Sequence, residues 1–268
     1  MKPEYASFTG EIPKRYDQYL GPFIFEPYAI DLASRINTEN LESVLEIACG
    51  TGRLTNHLIK KLSSNTKLIA TDLNEDMLSF AQQKIDNSKV TFQVANAQEL
   101  PFEDNIFDLL ICQFGIMFFP EKLNALKEMA RVLKPTGEIL FSTWDKIENN
   151  PIIYSTSNTI ASFFKTNPPE FLTVPFSMFD TQAIENLLQN AGFKNIAIEH
   201  IKMTGESPNA EDVTMGFVKG NPILQEIADR DATLPEKIIK AVKNNIIKNF
   251  GDKPTKSDLS AWVFSANK

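Results

Sequence analysis

Between residues 43 and 145 the chain repeats one unit: a short apolar run, a turn, and a stretch of helical periodicity. The runs at 43–48, 67–71, 90–94, 107–112 and 137–143 read as strands. The segments 54–62, 75–85 and 123–133 read as helices, the last stopping before Pro135 and Gly137. The strand runs are apolar almost throughout, so they are expected to be buried on both faces. That pattern predicts a parallel, doubly wound sheet with right-handed crossovers. Ligands of such sheets bind beyond the carboxyl ends of the strands, where the strand order reverses. The residues to inspect are therefore those at 49–52, 72–73, 96–98, 113–117 and 144–145.

The flanks are less regular. Residues 1–40 read as a helical arm or cap rich in aromatics (Tyr5, Phe8, Tyr16, Tyr19, Phe23, Phe25), with a short helix at 15–20 and a longer one at 26–36. In the longer helix, Ile30, Ala33 and Ile36 are expected to share a buried face. Residues 41–145 form the repeating core. Residues 146–180 carry five phenylalanines and, among their prolines, Pro168, Pro169 and Pro175, and read as an aromatic lid insert. Residues 181–268 complete the sheet, with a helix at 181–191, strands at 193–201 and 261–265, and a helical insert at about 207–256. Seven strands are expected in all, in an α/β, Rossmann-like and mainly parallel sheet.

Three segments of the core carry chemistry. Glu46-Ile47-Ala48-Cys49-Gly50-Thr51-Gly52 joins the first strand to the next helix, and its glycines permit turn angles closed to other residues. Asp72 ends the second strand, where an acid accepts hydrogen bonds from ribose hydroxyls in nucleoside-binding folds. Asn96, after the third strand, offers an amide to an adenine edge. A nicotinamide dehydrogenase needs Gly-x-Gly-x-x-Gly; counting from Gly50, the third position is Thr55, so that fingerprint fails.

With Leu100-Pro101-Phe102 before the fourth strand and Arg131-Val132-Leu133-Lys134-Pro135 before the fifth, the chain resembles the class I S-adenosylmethionine-dependent methyltransferase family, of the small-molecule kind. The resemblance is strong over 43–145 and weak over 181–201. It implies S-adenosylmethionine as cofactor and S-adenosylhomocysteine as product. It places Ala48, Gly50 and Gly52 beside the methionine part, with Glu46 organising the turn and the amino end. It gives Asp72 the ribose, Leu73 and Met77 the packing near adenine, and Asn96, Ala97 and Gln98 the adenine edge. The Gln113 carbonyl faces the ammonium, with Phe114 next to it. Two positions depart from the pattern: Ala48 stands where the family usually has glycine, and Asn96 where it often has aspartate.

Tyr16 and Tyr19 are candidates to cap the cofactor from the arm, and Arg15 to pair with its carboxylate. Aromatics including Phe114, Phe118, Phe119, Trp144 and the set at 163–179 are candidates to wall a small, partly apolar acceptor. No catalytic base is evident: His57 and His200 read as structural. Cys49 and Cys112 lack metal-ligand spacing and read as reduced core thiols, so no metal is expected. The net charge of −7 argues against nucleic acid as partner. Without a signal-like or membrane-spanning run, a cytoplasmic enzyme is expected. The rival from another class is a noncatalytic domain that keeps the fold to bind the cofactor or a partner; turnover to S-adenosylhomocysteine separates the two. Oligomeric state and acceptor identity stay open at this level.

Overall fold

The computed structural model describes residues 8–85 and 88–268; Tyr5, expected in the aromatic arm, lies outside them. Seven strands form one sheet in the order β3-β2-β1-β4-β5-β7-β6. They are β1 (Ser43–Ile47), β2 (Lys67–Asp72), β3 (Val90–Val94), β4 (Phe107–Gln113), β5 (Leu133–Trp144), β6 (Lys194–Ser207) and β7 (Thr255–Asn267). The first five run parallel, and β7 pairs antiparallel with both β5 and β6. The order reverses between β1 and β4, so the crevice expected for a ligand opens there.

The inner parallel strands are buried as their composition demands, Val44, Leu45, Ala70, Leu110 and Ile111 being at most 1% exposed, whereas the edge strand β3 is not and leaves Val94 43% exposed. One face is covered by α2 (Glu26–Ser34) and α3 (Arg53–Lys61), whose Leu32, Leu54 and Leu58 pack on Val44, Leu109 and Ile111. The other carries α5 (Lys122–Val132) and α7 (Thr181–Asn190), which bury Leu126, Met129, Ile184 and Leu188. The α4 helix (Glu75–Lys84) starts with an Asn74 cap on the Met77 N–H and packs beside β2 and β3.

Several expectations need correction. The arm is one continuous helical run: α1 (Ile12–Arg15), a π-helical segment (Tyr16–Phe25) and α2. Pro22 inside the π segment lacks an N–H, and the wider winding carries the run past it. Of the face expected to be buried, Ala33 and Ile36 are, but Ile30 is 52% exposed, and Tyr28, Ala29 and Leu32 face the core with Ala33. Strand β5 starts at Leu133, directly after α5, and the register jumps from Phe107↔Leu133 to Leu109↔Glu138, so Pro135 and Gly137 sit in a bulge.

The pair β6–β7 is far longer than the sequence pattern suggests. Beyond the end of β5, residues 202–207 and 255–260 continue as a two-stranded ribbon. The ribbon leads to α8 (Ala210–Lys219), α9 (Ile223–Arg230) and α10 (Pro235–Phe250), and α6 (Pro151–Ala161) packs against α10. The π segment of the arm contacts both α8 and β6. Arm, ribbon and helices thus meet over the carboxyl edge of the sheet. No helix among the described residues is long and apolar enough to cross a membrane.

Candidate functional site

The turn after β1 is wound by three left-handed residues, Ala48 (φ +54°), Gly50 (φ +55°) and Gly52 (φ +75°). Its backbone is pinned to β2: Cys49 N–H donates to the Thr71 carbonyl at 2.9 Å, and Gly50 N–H to Asp72 Oδ2 at 2.8 Å. Asp72 Oδ1 accepts from Asn74 N–H at 2.8 Å. The Leu73 N–H also donates to this carboxylate, so three backbone donors are set against its roughly four acceptor sites and some acceptor capacity remains. Burial pushes this carboxyl up from its usual value, against the hydrogen bonds from Asn74 and Gly50.

Glu46 lies beneath the turn, 1% exposed, and accepts from Thr55 Oγ1 at 2.6 Å. Burial pushes its carboxyl up to about 8, and the neighbouring charge of Asp72 adds to the rise. The Cys49 and Cys112 thiols are buried and free, and burial raises both, that of Cys112 to about 12.

These groups border a cavity of about 530 Å³. Of the residues expected at the site, it gathers Tyr16, Glu46, Ala48, Gly50, Asp72, Leu73, Met77, Asn96, Ala97, Gln98, Gln113 and Phe114. Two expected residues are not in its lining. Gly52 caps α3 on the side of α4, where a Cβ would come within 2.6 Å of Ile85 Cδ1 and 3.2 Å of Ala81 Cβ. Tyr19 points to α8, its Cβ 3.1 Å from where a side chain on Gly216 would start. Arg15 is absent from the lining as well; the winding of the arm presents Tyr16 instead. The side-chain oxygen of Asn96 is partly committed, accepting from Gln98 N–H at 3.0 Å. Gln113 Nε2 donates to the Phe25 carbonyl at 2.8 Å and ties β4 to the arm.

The cation bordering the cavity is Arg53, which the sequence reading did not single out. Its guanidinium reaches Glu26 Oε2 (2.6 Å), Asp17 Oδ1 (3.1 Å) and the Asp17 carbonyl (2.8 Å). Asp17 Oδ1 also accepts from Thr51 Oγ1 (2.8 Å) and Lys84 Nζ (2.6 Å), so one carboxylate latches the arm to the turn and to α4. Glu26 further meets His57 Nε2 at 2.8 Å, which gives that histidine a structural place. Burial works against the Glu26 charge, but Arg53 and His57 outweigh it and hold the carboxyl below its usual value. No local pattern advertises contacts spanning 36 residues, such as Asp17 with Arg53.

Phe114 also adopts φ +51°, unusual for an aromatic residue, and stacks flat on Trp144 at 3.9 Å. Behind it lies a second chamber of about 80 Å³, bounded almost wholly by apolar side chains. Phe8, Tyr16, Phe25, Phe114 and Phe118 border both chambers. Of the aromatics expected in a lid, Phe171 and Phe176 reach this chamber, whereas Phe179 is exposed under Lys146. His200 lies outside both chambers, on β6, stacked on Trp262 and within 2.7 Å of Ser260 Oγ.

A cavity at the reversal point of a doubly wound sheet, with a left-handed glycine turn and a half-buried acid ending the next strand, defines a nucleoside-cofactor protein of the S-adenosylmethionine-dependent methyltransferase class. The chain belongs to the ubiE/COQ5 methyltransferase family, whose model matches residues 28–206. It is 30% identical over 182 residues to the ubiquinone/menaquinone biosynthesis C-methyltransferase UbiE of Francisella philomiragia, covering 61% of this chain and 70% of that protein. Against the same-named protein of Escherichia coli it is 31% identical over 173 residues, 58% of this chain and 67% of that protein. In fold it is similar to phosphoethanolamine N-methyltransferase 2 of Haemonchus contortus, solved with S-adenosylhomocysteine (TM-score 0.61, 17% identity, 96% of this chain and 56% of that one). The protein is an S-adenosylmethionine-dependent methyltransferase.

Proposed function

We propose that the larger chamber holds S-adenosylmethionine and that the aromatic chamber beside it presents a small, partly apolar acceptor to the methyl group. The observation that carries this reading is the Gly50–Asp72 contact. It sets a half-buried carboxylate with remaining acceptor capacity next to a backbone turn, which is what a ribose diol and a methionine tail require. A volume of about 530 Å³ suits a cofactor-sized ligand.

In this arrangement Asp72 takes the ribose hydroxyls. Leu73 and Met77 pack against adenine, and Asn96, Ala97 and Gln98 border its edge. Ala48 and Gly50 lie along the methionine part, with Glu46 and the Gln113 carbonyl toward its ammonium. Gly52 and Tyr19 act at one remove, Gly52 by letting α3 approach α4 and Tyr19 by seating the arm on α8.

The cofactor supplies a sulfonium methyl whose carbon–sulfur bond breaks as the acceptor's bond forms, the electron pair staying on sulfur. The chain's own task is then alignment and exclusion of water, together worth roughly 7–11 kcal/mol in well-oriented reactions. Among the described residues, Tyr16 is the one titratable group bordering the aromatic chamber. Burial holds its phenol far above the usual value, so it keeps its proton. This setting suits a nucleophile whose attack needs no prior deprotonation, such as the carbon of an electron-rich ring, whose displaced ring proton then passes to solvent; a hydroxyl acceptor would ask for a base at the attacking atom. The names of the curated relatives, C-methyltransferases of ubiquinone and menaquinone biosynthesis, agree with carbon as the acceptor atom.

The test has two arms. Calorimetry with S-adenosylmethionine should show one site that is weakened by Asp72→Ala. S-adenosylhomocysteine should then accumulate with some member of a panel of ring compounds. Cofactor binding without turnover on any acceptor would return the noncatalytic reading.

A further inference from the structure

The amino-acid end of S-adenosylmethionine carries two charges, an ammonium and a carboxylate. In the arrangement proposed above, Glu46 and the Gln113 carbonyl lie toward the ammonium, and Asp72 takes the ribose. The carboxylate needs a different corner of the chamber. Among the described residues that line it, Arg53 is the one side chain with a full positive charge, and Arg15 does not border it. Arg53 is also the first residue of α3, so the positive end of that helix lies beside it.

The guanidinium is held firmly but is not used up. Nη1 donates to Glu26, and Nη2 donates to the Asp17 carboxylate and to the Asp17 carbonyl. Of the five N–H groups of an arginine, Nε–H and the second one on Nη1 are left without a partner among the described residues. Neither acid spends its whole charge on Arg53. Asp17 also accepts from Lys84 and Thr51, and Glu26 also meets His57. The arm makes room for the head group at Gly21, where a side chain would overlap the guanidinium. Every hydrogen bond that places this cation at the chamber therefore comes from the arm or from the start of α2, which continues it.

Resting on the methyltransferase reading above, we propose that Arg53 receives the carboxylate of the cofactor, and that this contact is coupled to the seating of the arm. A carboxylate accepts from the free N–H groups in charge-assisted bonds, about twice as strong as neutral ones. Only the seated arm, through Asp17, Glu26 and the space at Gly21, presents the guanidinium in place for them. Coupling of this kind is reciprocal: a ligand that binds the positioned cation favours the seated arm to the same degree. A ligand with the adenosyl group and the amine but no carboxylate fills the same socket and leaves the arm as it is in the empty protein.

The test uses the full-length protein and two ligands that differ in the carboxylate alone: S-adenosylhomocysteine and its decarboxylated analogue, which keeps the amine. By calorimetry the wild type should bind the first at least tenfold more tightly. In Arg53→Gln that ratio should fall below threefold, chiefly through weaker binding of S-adenosylhomocysteine. Should that variant fail to fold, Gly21→Ala keeps the arginine, displaces its head group, and should shrink the ratio severalfold. With each ligand at saturation, amide hydrogen exchange over residues 16–25 should slow at least fivefold more with S-adenosylhomocysteine than with the analogue. Arg53→Gln should abolish that difference. Equal wild-type affinities for the two ligands overturn the proposal, as does a ratio that the variants leave unchanged. An arm protected equally by both ligands overturns the coupling. Failure of the wild-type protein to bind S-adenosylhomocysteine would overturn the methyltransferase site itself, a distinct result read before the analogue is added.

Discussion

Replacing Glu46 with glutamine should make the ligand-free protein more stable at neutral and alkaline pH. The carboxyl is 1% exposed and burial raises its folded value to about 8, against 4.5 for the free side chain. Because the folded value lies above the unfolded one, the proton is held more tightly in the folded state. The stabilising contribution is complete below about pH 4.5 and is lost as the pH rises through about 8. At about 1.4 kcal/mol per pH unit, the loss is roughly 3 kcal/mol at pH 7 and roughly 5 kcal/mol above pH 8.5. Glutamine keeps an oxygen to accept from Thr55 Oγ1, carries no charge, and spares Asp72 a like-charged neighbour. Urea unfolding of wild type and Glu46→Gln at half-unit steps from pH 5 to 9 measures the difference directly. The two stabilities should nearly meet at pH 5 and diverge in favour of the variant, most steeply between pH 5.5 and 8. Parallel curves would show that Glu46 titrates normally and that the pocket beneath the turn is wetter than its geometry implies. The cationic cofactor should reverse the sign for binding: it favours ionised Glu46, so wild-type affinity should rise from pH 6 to 8.5, and less so in the variant.

Asp72→Ala should weaken S-adenosylmethionine binding by roughly 1–3 kcal/mol through the lost acceptor; unchanged affinity by calorimetry would place the ribose elsewhere. Asp17→Ala leaves Arg53 and Lys84 without their shared carboxylate and should destabilise the fold by roughly 1–2 kcal/mol while speeding cofactor release in stopped-flow. An unaltered release rate would mean that the arm does not gate the chamber. Ala48→Gly relieves a left-handed alanine at roughly 1–2 kcal/mol, against roughly 0.5–1 kcal/mol of added chain entropy. The net gain of about 0.5 kcal/mol should appear in urea unfolding; a clear loss would show that the Ala48 methyl holds the turn against Gly115.

The parallel core was legible because each strand there is a near-continuous apolar run and each turn carries its own punctuation. Gly50 and Asp72 were singled out by spacing and Ala48 through the family resemblance, and all three border the cavity, since a backbone turn and the strand beside it are local features. Length along β6 was not legible: Lys202-Met203-Thr204-Gly205-Glu206-Ser207 has neither apolar alternation nor β-branched density, and only pairing with 255–260 makes it a strand. The arm misled through Pro22, a stop signal for an α-helix that the π winding absorbs. Ile30 was misplaced within α2 itself: at about 100° per residue it lies about 120° round the helix from Ile36, outside the face that Tyr28, Ala29, Leu32 and Ala33 bury.

The two chambers differ in legibility for one physical reason. The cofactor side is made mostly of backbone and of side chains that terminate consecutive strands, so its position follows from topology. The aromatic chamber is made of side chains from the arm (Phe8, Phe25), the residue after β4 (Phe114), the end of β5 (Trp144), α6 (Ile153), the 171–176 segment and α8 (Phe217). These elements meet through the β6–β7 ribbon and the Asp17 latch, neither of which has a local signature. Acceptor choice can therefore shift by altering elements outside the sheet while β1 to β4 stay constant. That separation predicts where relatives sharing this cofactor site should diverge: in the residues that line the aromatic chamber, Ile153, Leu172 and Phe217 foremost, before any that brace Asp72.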